Sequence, residues 1–430
     1  MRPLKVRLIC QKLGQIASLT LALSCCLCLL AGCTGQKETH NEYPGPTAKT
    51  QKALLSTPLV FGNIGYDTKT GIINMPRNIV AVAFSPDSRY VACASRIEVM
   101  TEGADSHPGI VYTEHADDDM PLNILARRLV IIFDMATGVS KLQFITEAVV
   151  RSLAFSADSG MLFVGCDAHR LEDLGQDEAG YLQVWDVERG KLLRNVEKDV
   201  NLMTVAPTGH RLVLGMGGGY ENHLSLAILD TTSWRTIHQF KPEVKVGILE
   251  DIAFSSDGRW FGALFFARES SIGEVWIWDT RSGKTLLHVV DSYETFSHPE
   301  SSHAISPPLA MTVPGDKQAK GYIYCGNTRF KVKYAGETLK VIETSDVIKN
   351  RSDTVFAYAN FNPKRAVSSD YFHAAAQDKP ITYSLWDLNS QKVIKSWQLK
   401  AGYPNVEFSP DGKILAVVSA EDTYQLIKVP

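Results

Sequence analysis

The feature that most constrains this chain is a phrase repeated along it: an apolar run, a polar turn, then a second apolar run. The turn follows Phe84 (Ser85-Pro86-Asp87-Ser88), Phe155 (Ser156-Ala157-Asp158-Ser159), Phe254 (Ser255-Ser256-Asp257-Gly258) and Phe408 (Ser409-Pro410-Asp411-Gly412). Fainter copies follow Val205 (Ala206-Pro207-Thr208-Gly209), Val313 (Pro314-Gly315-Asp316) and Phe361 (Asn362-Pro363-Lys364). The seven copies are spaced 71, 50, 49, 59, 48 and 47 residues apart, a period near 48 with two long insertions. A fixed period of this length marks a repeat architecture, in which a single unit cannot bury its apolar face and must stack on the next.

A second phrase interleaves with the first: an apolar strand ending in Asp, a short turn, then another strand. It ends on Asp134, Asp186, Asp230, Asp279 and Asp387, with turns at Thr137-Gly138, Arg189-Gly190, Ser282-Gly283 and Asn389-Ser390. The gaps between these aspartates are 52, 44, 49 and 108, so one copy has lost its Asp, and Phe330–Tyr334 fills its place. Each period therefore holds four short strands: a before the first turn, b after it, c ending at the Asp, and d after the second turn. In Ile79–Phe84 both faces are apolar, as expected of a strand buried on both sides. The pattern predicts an all-β chain: a seven-bladed β-propeller of four-stranded blades, whose radial arrangement leaves only short edges exposed. The last period stops at Pro430 without a strand d, while Leu59-Val60-Phe61 precedes the first strand a and has no other home. The segment near Leu59 to Ile64 is therefore expected to complete the seventh blade, as an N-terminal closing strand.

The paired phrases resemble the WD-repeat propellers, through Val184-Trp185-Asp186, Ile277-Trp278-Asp279 and Leu385-Trp386-Asp387, and the resemblance covers residues 58–430. No Gly-His pair opens the repeats, so the hydrogen-bond network that this pair supports in the family is not implied here.

The N-terminus has its own pattern. Arg2, Lys5, Arg7 and Lys12 precede an apolar run from Leu13 to Leu30, and Leu30-Ala31-Gly32-Cys33 follows. A basic segment, an apolar segment and a small-residue cleavage site read as a secretion signal, residues 1–32. The tetrapeptide resembles the lipobox of bacterial lipoproteins. The resemblance implies that Cys33 is lipidated and becomes the new N-terminus, so that membrane lipid is a partner through this residue. It also implies a cell-envelope location outside the cytoplasm, at the outer membrane facing the periplasm if the host is Gram-negative. The alternative is an ordinary signal peptide with a chance cysteine. Residues 33–57 are polar, carry Pro44-Gly45-Pro46, and read as a flexible tether. Removal of the signal leaves 40 basic against 47 acidic residues, a net charge of −7, which argues against nucleic acid as a partner. Beyond Cys33 stand Cys93, Cys166 and Cys325, each in a β-like apolar run; they read as small buried residues, or else as a disulfide between neighbouring repeats.

In a propeller the a–b and c–d turns share one face, and the b–c and d–a connections share the other. Here the long insertions fall in the latter class, near 96–127, 167–180, 216–223 and 291–306. Loops on a rigid scaffold are where binding concentrates. This elaborated face carries Glu98, Glu102, Asp105, Glu114, Asp117, Asp118, Asp119, Glu172, Asp173 and Asp177, a candidate surface for an envelope protein or peptide. The same acids could equally form a solvated face that favours solubility. His107, His115 and His169 are candidate metal ligands, although no Asp-x-Asp-x-Asp-Gly loop is present. Gly283-Lys284-Thr285 lacks the glycine that a phosphate loop needs five residues earlier, and Met216–Tyr220 reads as a loop rather than a nucleotide site. No Gly-x-Ser-x-Gly elbow or His-Glu-x-x-His helix occurs, and no cofactor is expected. The Trp residues of strand c read as blade-packing residues. The expected function is a non-catalytic, lipid-anchored interaction scaffold. The alternative is an enzyme or sensor, quinoprotein-like, hydrolytic or cation-binding, that uses the central channel.

Overall fold

The computed structural model describes residues 65–430 except 75–78, 101–123, 147–148, 168, 172–175, 179, 199, 217–224, 243–247, 268–271, 293–307, 313–319, 349–353, 359–364, 371–378, 400–405 and 420–422. The regular structure among the described residues is entirely β. Blade 1 comprises Ile79–Phe84, Tyr90–Met100, Ile124–Asp134 and Ser140–Thr146 as strands a to d. Blades 2 to 6 repeat the antiparallel order, beginning with Val149–Phe155, Leu202–Val205, Ile248–Phe254, Leu309–Thr312 and Thr354–Tyr358. Blade 7 has Val406–Phe408, Ile414–Ser419 and Thr423–Lys428 as a, b and c. The chain is a seven-bladed β-propeller.

The core is a ring of interfaces between blades, not a single centre. Among the described residues seven apolar clusters occur, one at each junction between neighbouring blades. At the first, Tyr90, Val130 and Phe144 of blade 1 meet Leu153, Val164 and Trp185 of blade 2. At the last, Ala416 and Leu426 of blade 7 meet Val91, Ile131 and Phe133 of blade 1. Trp185, Trp278 and Trp386 of strand c are 4%, 3% and 5% exposed, so they are packing residues. Two of the indoles use different partners: Trp185 Nε1 donates to Gln183 Oε1, and Trp386 Nε1 donates to Ser368 Oγ. Close approach between blades is helped by glycines in strand b. A Cβ on Gly215 would stand 2.3 Å from Leu249, and one on Gly262 would stand 2.5 Å from Met311, both side chains coming from strand a of the following blade.

Ring closure is by an N-terminal strand, as expected, but not by the expected segment. The fourth strand of blade 7 is Ile72–Asn74, which pairs antiparallel with Thr423–Lys428 in the register Ile73↔Tyr424. The expected segment, Leu59 to Ile64, lies outside the described residues. A fifth strand, Gly65–Asp67, pairs on the outside of the closing strand. The hairpin between them turns at Gly71, whose φ of +75° favours glycine and whose missing Cβ would meet the Leu426 carbonyl oxygen at 2.4 Å. Tyr66 packs edge-on against Phe133 of blade 1, so this hairpin bridges the two ends of the ring.

The repeated turns have a shared chemistry. In blade 1 the Ser85 hydroxyl donates to Asp87 Oδ1 at 2.6 Å and accepts from Tyr90 N at 2.8 Å. The same pair of bonds recurs at Ser156, Ser255 and Ser409. In the second turn the Asp ending strand c accepts from backbone N–H groups two or three residues on, as Asp279 does from Arg281 and Ser282. In blade 6 the register places Tyr358, not Phe361, at the position of Phe84, because Tyr358 pairs with Ala366 as Phe84 pairs with Val91. The Asn362-Pro363-Lys364 turn itself lies outside the described residues.

Cys93, Cys166 and Cys325 are free thiols, fully buried on strand b of three blades. Burial pushes the Cys93 thiol up to about 12.

Candidate functional site: the central channel and the b–c face

The seven strands a enclose a cavity of about 680 Å³. Its wall includes Val80, Val82, Ala83, Val205 and Ala253, and it reaches the a–b turns at Pro86, Ala157, Pro207, Ser256 and Pro410. It therefore extends to the face with short turns, opposite the elaborated b–c connections. Proline at the second position of a Ser-x-Asp turn is pre-set for the required φ, which explains why the rim is proline-rich.

Among the described residues, four acidic or basic side chains stand on the strand-a wall, besides the phenol of Tyr358. Arg151 comes from blade 2 and Glu250 from blade 4, each engaged with neighbours. Asp251 follows Glu250, where a bulge breaks the strand register between Leu249 and Asp251. Its Oδ1 accepts from Ile252 N at 2.8 Å, and its Oδ2 accepts from Leu309 N of the next blade at 2.6 Å. Ser152 occupies the corresponding register in blade 2 and likewise accepts from Met203 N of the blade after it. Asp251 is thus a clip between blades made with a carboxyl in place of a hydroxyl. Burial raises its pKa to about 7, the two N–H donors oppose that, and Glu250 adds to the rise.

Glu407 comes from blade 7 and also lines the channel. Val406 and Phe408 beside it are buried in the blade interface, while Glu407 keeps partial exposure. Its carboxyl forms no hydrogen bond among the described residues. Burial raises its pKa to about 8, with the negative charge of Asp251 contributing. Blades 4 and 7 are not neighbours, so these two carboxyls interact across the channel.

None of these four was singled out in the sequence. The signal was present: Ile248–Phe254 reads ILEDIAF where Ile79–Phe84 reads IVAVAF, and Val406–Phe408 reads VEF. It becomes legible only once the strands are aligned by register.

The opposite face carries the elaborated b–c connections. In blade 1, strands b and c continue past the sheet: Ile97↔Arg127 through Met100↔Ile124 pair, and among the described residues no strand a or d lies alongside. These four pairs form a two-stranded arm rising roughly 13 Å. In blade 2 the b–c connection contains a hairpin of His169–Leu171 with Gln176–Glu178. Of the candidate residues, Glu98 pairs with Ala126 on the arm, and Asp177 pairs with Arg170 on the hairpin, whose first residue is His169. Glu102, Asp105, His107, Glu114, His115, Asp117, Asp118, Asp119, Glu172 and Asp173 lie outside the described residues, as does Cys33. Among the described residues no group of three or more His, Cys, Asp or Glu side chains is arranged to hold a metal.

No protein-family model and no curated protein matches this chain. Solved structures do match in fold. The β-propeller domain of Myceliophteria thermophila Cps50 (Swd1) covers 83% of this chain and 98% of its own, with a TM-score of 0.52 and 12% identity. A chain of the Mitotic Checkpoint Complex covers 87% and 94%, with a TM-score of 0.51 and 15% identity. A chain of Kuenenia stuttgartiensis hydrazine synthase covers 82% and 95%, with a TM-score of 0.53 and 12% identity. At such identities the likeness is one of fold: this chain has a WD-repeat-like β-propeller fold.

Proposed function

We propose that this chain is a lipid-anchored, non-catalytic protein of the cell envelope that docks an envelope protein or peptide on the b–c face of its propeller. The observation that carries the reading is the pairing of two built arms, on adjacent blades and in the same class of connection, against the short turns described opposite. A two-stranded arm that extends beyond its sheet offers unpaired backbone edges, which a partner strand can join. The acidic composition of these two connections, with Glu98 and Asp177 on the arms, favours a basic partner by charge complementarity. The Leu30-Ala31-Gly32-Cys33 motif supports anchoring, and the polar stretch after it would let the disc stand off the bilayer.

A photo-crosslinking residue placed at Glu98 or Asp177 in intact cells, with Arg259 of an a–b turn as the control, tests the docking face. The expected outcome is a discrete adduct from the two arm positions that is absent from the control. Identical, unselective adducts from all three positions would overturn the reading. The anchor is tested separately: Cys33→Ala should abolish labelling by palmitate and release the protein from the membrane fraction.

A further inference from the structure

We propose that the outer edge of blade 4 pairs with the same edge of a second copy of this chain, so that two propellers join rim to rim through an antiparallel strand pair. This inference does not depend on docking at the b–c face.

The outermost strand of each blade presents unpaired backbone N–H and C=O groups, and proteins guard such edges with charge, brevity or a covering segment. Six blades follow that rule among the described residues. Strand d carries Lys141 in blade 1, Lys191, Arg194 and Glu197 in blade 2, Lys340 and Glu343 in blade 5, and Lys392 and Lys395 in blade 6. In blade 3 it is only five residues long, Thr236–Phe240. In blade 7 the closing strand is covered by Gly65–Asp67. Blade 4 is the exception. Its strand d, Thr285–Ser292, is eight residues long and ends its sheet, with no Lys, Arg, Asp or Glu between Lys284 and Asp291.

The side chains along this edge leave it open. Leu287 and Val289 pack inward, in the cluster between blades 4 and 5. His288 points the other way, stacked on Trp276 at 3.7 Å, with Nε2 2.8 Å from Glu274 Oε2. Val290 follows on the same side as His288 and is 53% exposed. Phe240, the last residue of strand d in blade 3, packs against Trp278, so that strand stops short of His288, which pairs with Trp276.

The strand is complementary to itself, which selects a second copy as its partner. Strands c and d shift register between Ile277 and Trp278, leaving Leu286 as an extra residue. A two-fold axis at His288, perpendicular to the sheet, sets His288 opposite itself and Leu287 opposite Val289. With Leu286 bulged out, Thr285 then lies opposite Val290, and Lys284 opposite Asp291. Every pair joins side chains on the same face of the sheet, as an antiparallel ladder requires. The two charges that bound the uncharged run thus meet their opposites at both ends. A parallel pairing would instead set Lys284 against Lys284. Lys284 Nζ already donates to Glu337 Oε2 at 2.8 Å, but its side chain is 64% exposed, which leaves the ammonium open to a second carboxylate. One strand pair buries less than the roughly 1,200 Å² of a standard interface, so the dimer is weak and forms at high local concentration.

The test is sedimentation equilibrium of the full-length chain in density-matched detergent, at loadings up to about 300 μM, a range that reveals weak association. We expect a monomer–dimer equilibrium. Val290→Lys and Asp291→Lys should each weaken it about tenfold or more, because each sets a lysine beside Lys284 of the other copy. Disulfide trapping in membranes, with copper phenanthroline as oxidant, reads the register. His288→Cys should give a homodimer well above the wild-type level, since directly opposed Cβ atoms lie about 4.5–5.5 Å apart. Val393→Cys, on strand d of blade 6, should not. The sedimentation of the wild type stands even if a variant misfolds. A monomer at every loading, a dimer unchanged by both lysine variants, equal trapping at Val393→Cys, or a His288→Cys disulfide formed only with another protein would overturn the pairing.

Discussion

At the scale of single residues, the left-handed turn positions show where the repeat is imperfect. Gly258 and Gly412 fill the fourth place of the a–b turn, with φ of 68° at each, but Ser88 and Ser159 hold it at 57° and 62°. Ser88 Oγ is buried without a partner, whereas Ser159 Oγ accepts from Asp87 N. We expect Ser88→Gly to stabilise the protein by about 1 kcal/mol, through relief of strain and removal of an unsatisfied hydroxyl. Ser159→Gly should be near neutral, because it forfeits a bond between blades; urea unfolding midpoints of the two variants check this. The acids at the turns and in the channel respond oppositely to pH. Asp134, Asp186, Asp230, Asp279 and Asp387 are held below the usual carboxylate range, chiefly by hydrogen bonds, with burial opposing; at Asp279 burial is the largest influence but is outweighed. Their stabilisation is present above the unfolded value near pH 4 and is lost as pH falls below it. Glu407 and Asp251 are raised, so the folded state loses stability as pH climbs from about 4 toward 8. We expect the thermal midpoint of the wild type to fall between pH 6 and pH 9, and Glu407→Gln to reduce that fall.

At the scale of elements, legibility followed the range of the interaction. The Ser-x-Asp turns and the strand-c aspartates were readable because their hydrogen bonds reach only two to five residues along the chain. The closing strand was misplaced because Leu59-Val60-Phe61 is the more apolar segment, while Ile72–Asn74 is three residues long and is chosen by pairing with a strand some 350 residues away. The shift from Phe361 to Tyr358 in blade 6 has the same origin, since partners across the sheet set the register. The channel acids went unread because a charge in a short strand has no local signature. The corrected closure has a sharp consequence. Removal of residues 58–64 should leave the melting temperature unchanged, whereas removal through residue 74 should unfold the ring. Gly71→Ala should cost roughly 2–4 kcal/mol, from its left-handed backbone and the collision with the Leu426 carbonyl. Thermal melts of the three variants are the check.

At the scale of the whole molecule, every assignment of a loop to a face depends on a ring that closes. Seven interfaces of similar construction hold it, and the seventh is the one where the two ends of the chain meet, with Ile73 fully buried against blade 1. The channel and the b–c arms exist as opposite features because this junction holds. The N–H of Leu426 donates to the Gly71 carbonyl oxygen at 2.7 Å, so it points at the closing strand and not back into blade 7. Hydrogen exchange at this amide measures the junction directly. We expect protection that approaches that of the buried strands b and vanishes when residues 65–74 are removed. Exchange at the rate of an exposed edge strand in the intact protein would contradict the closed ring.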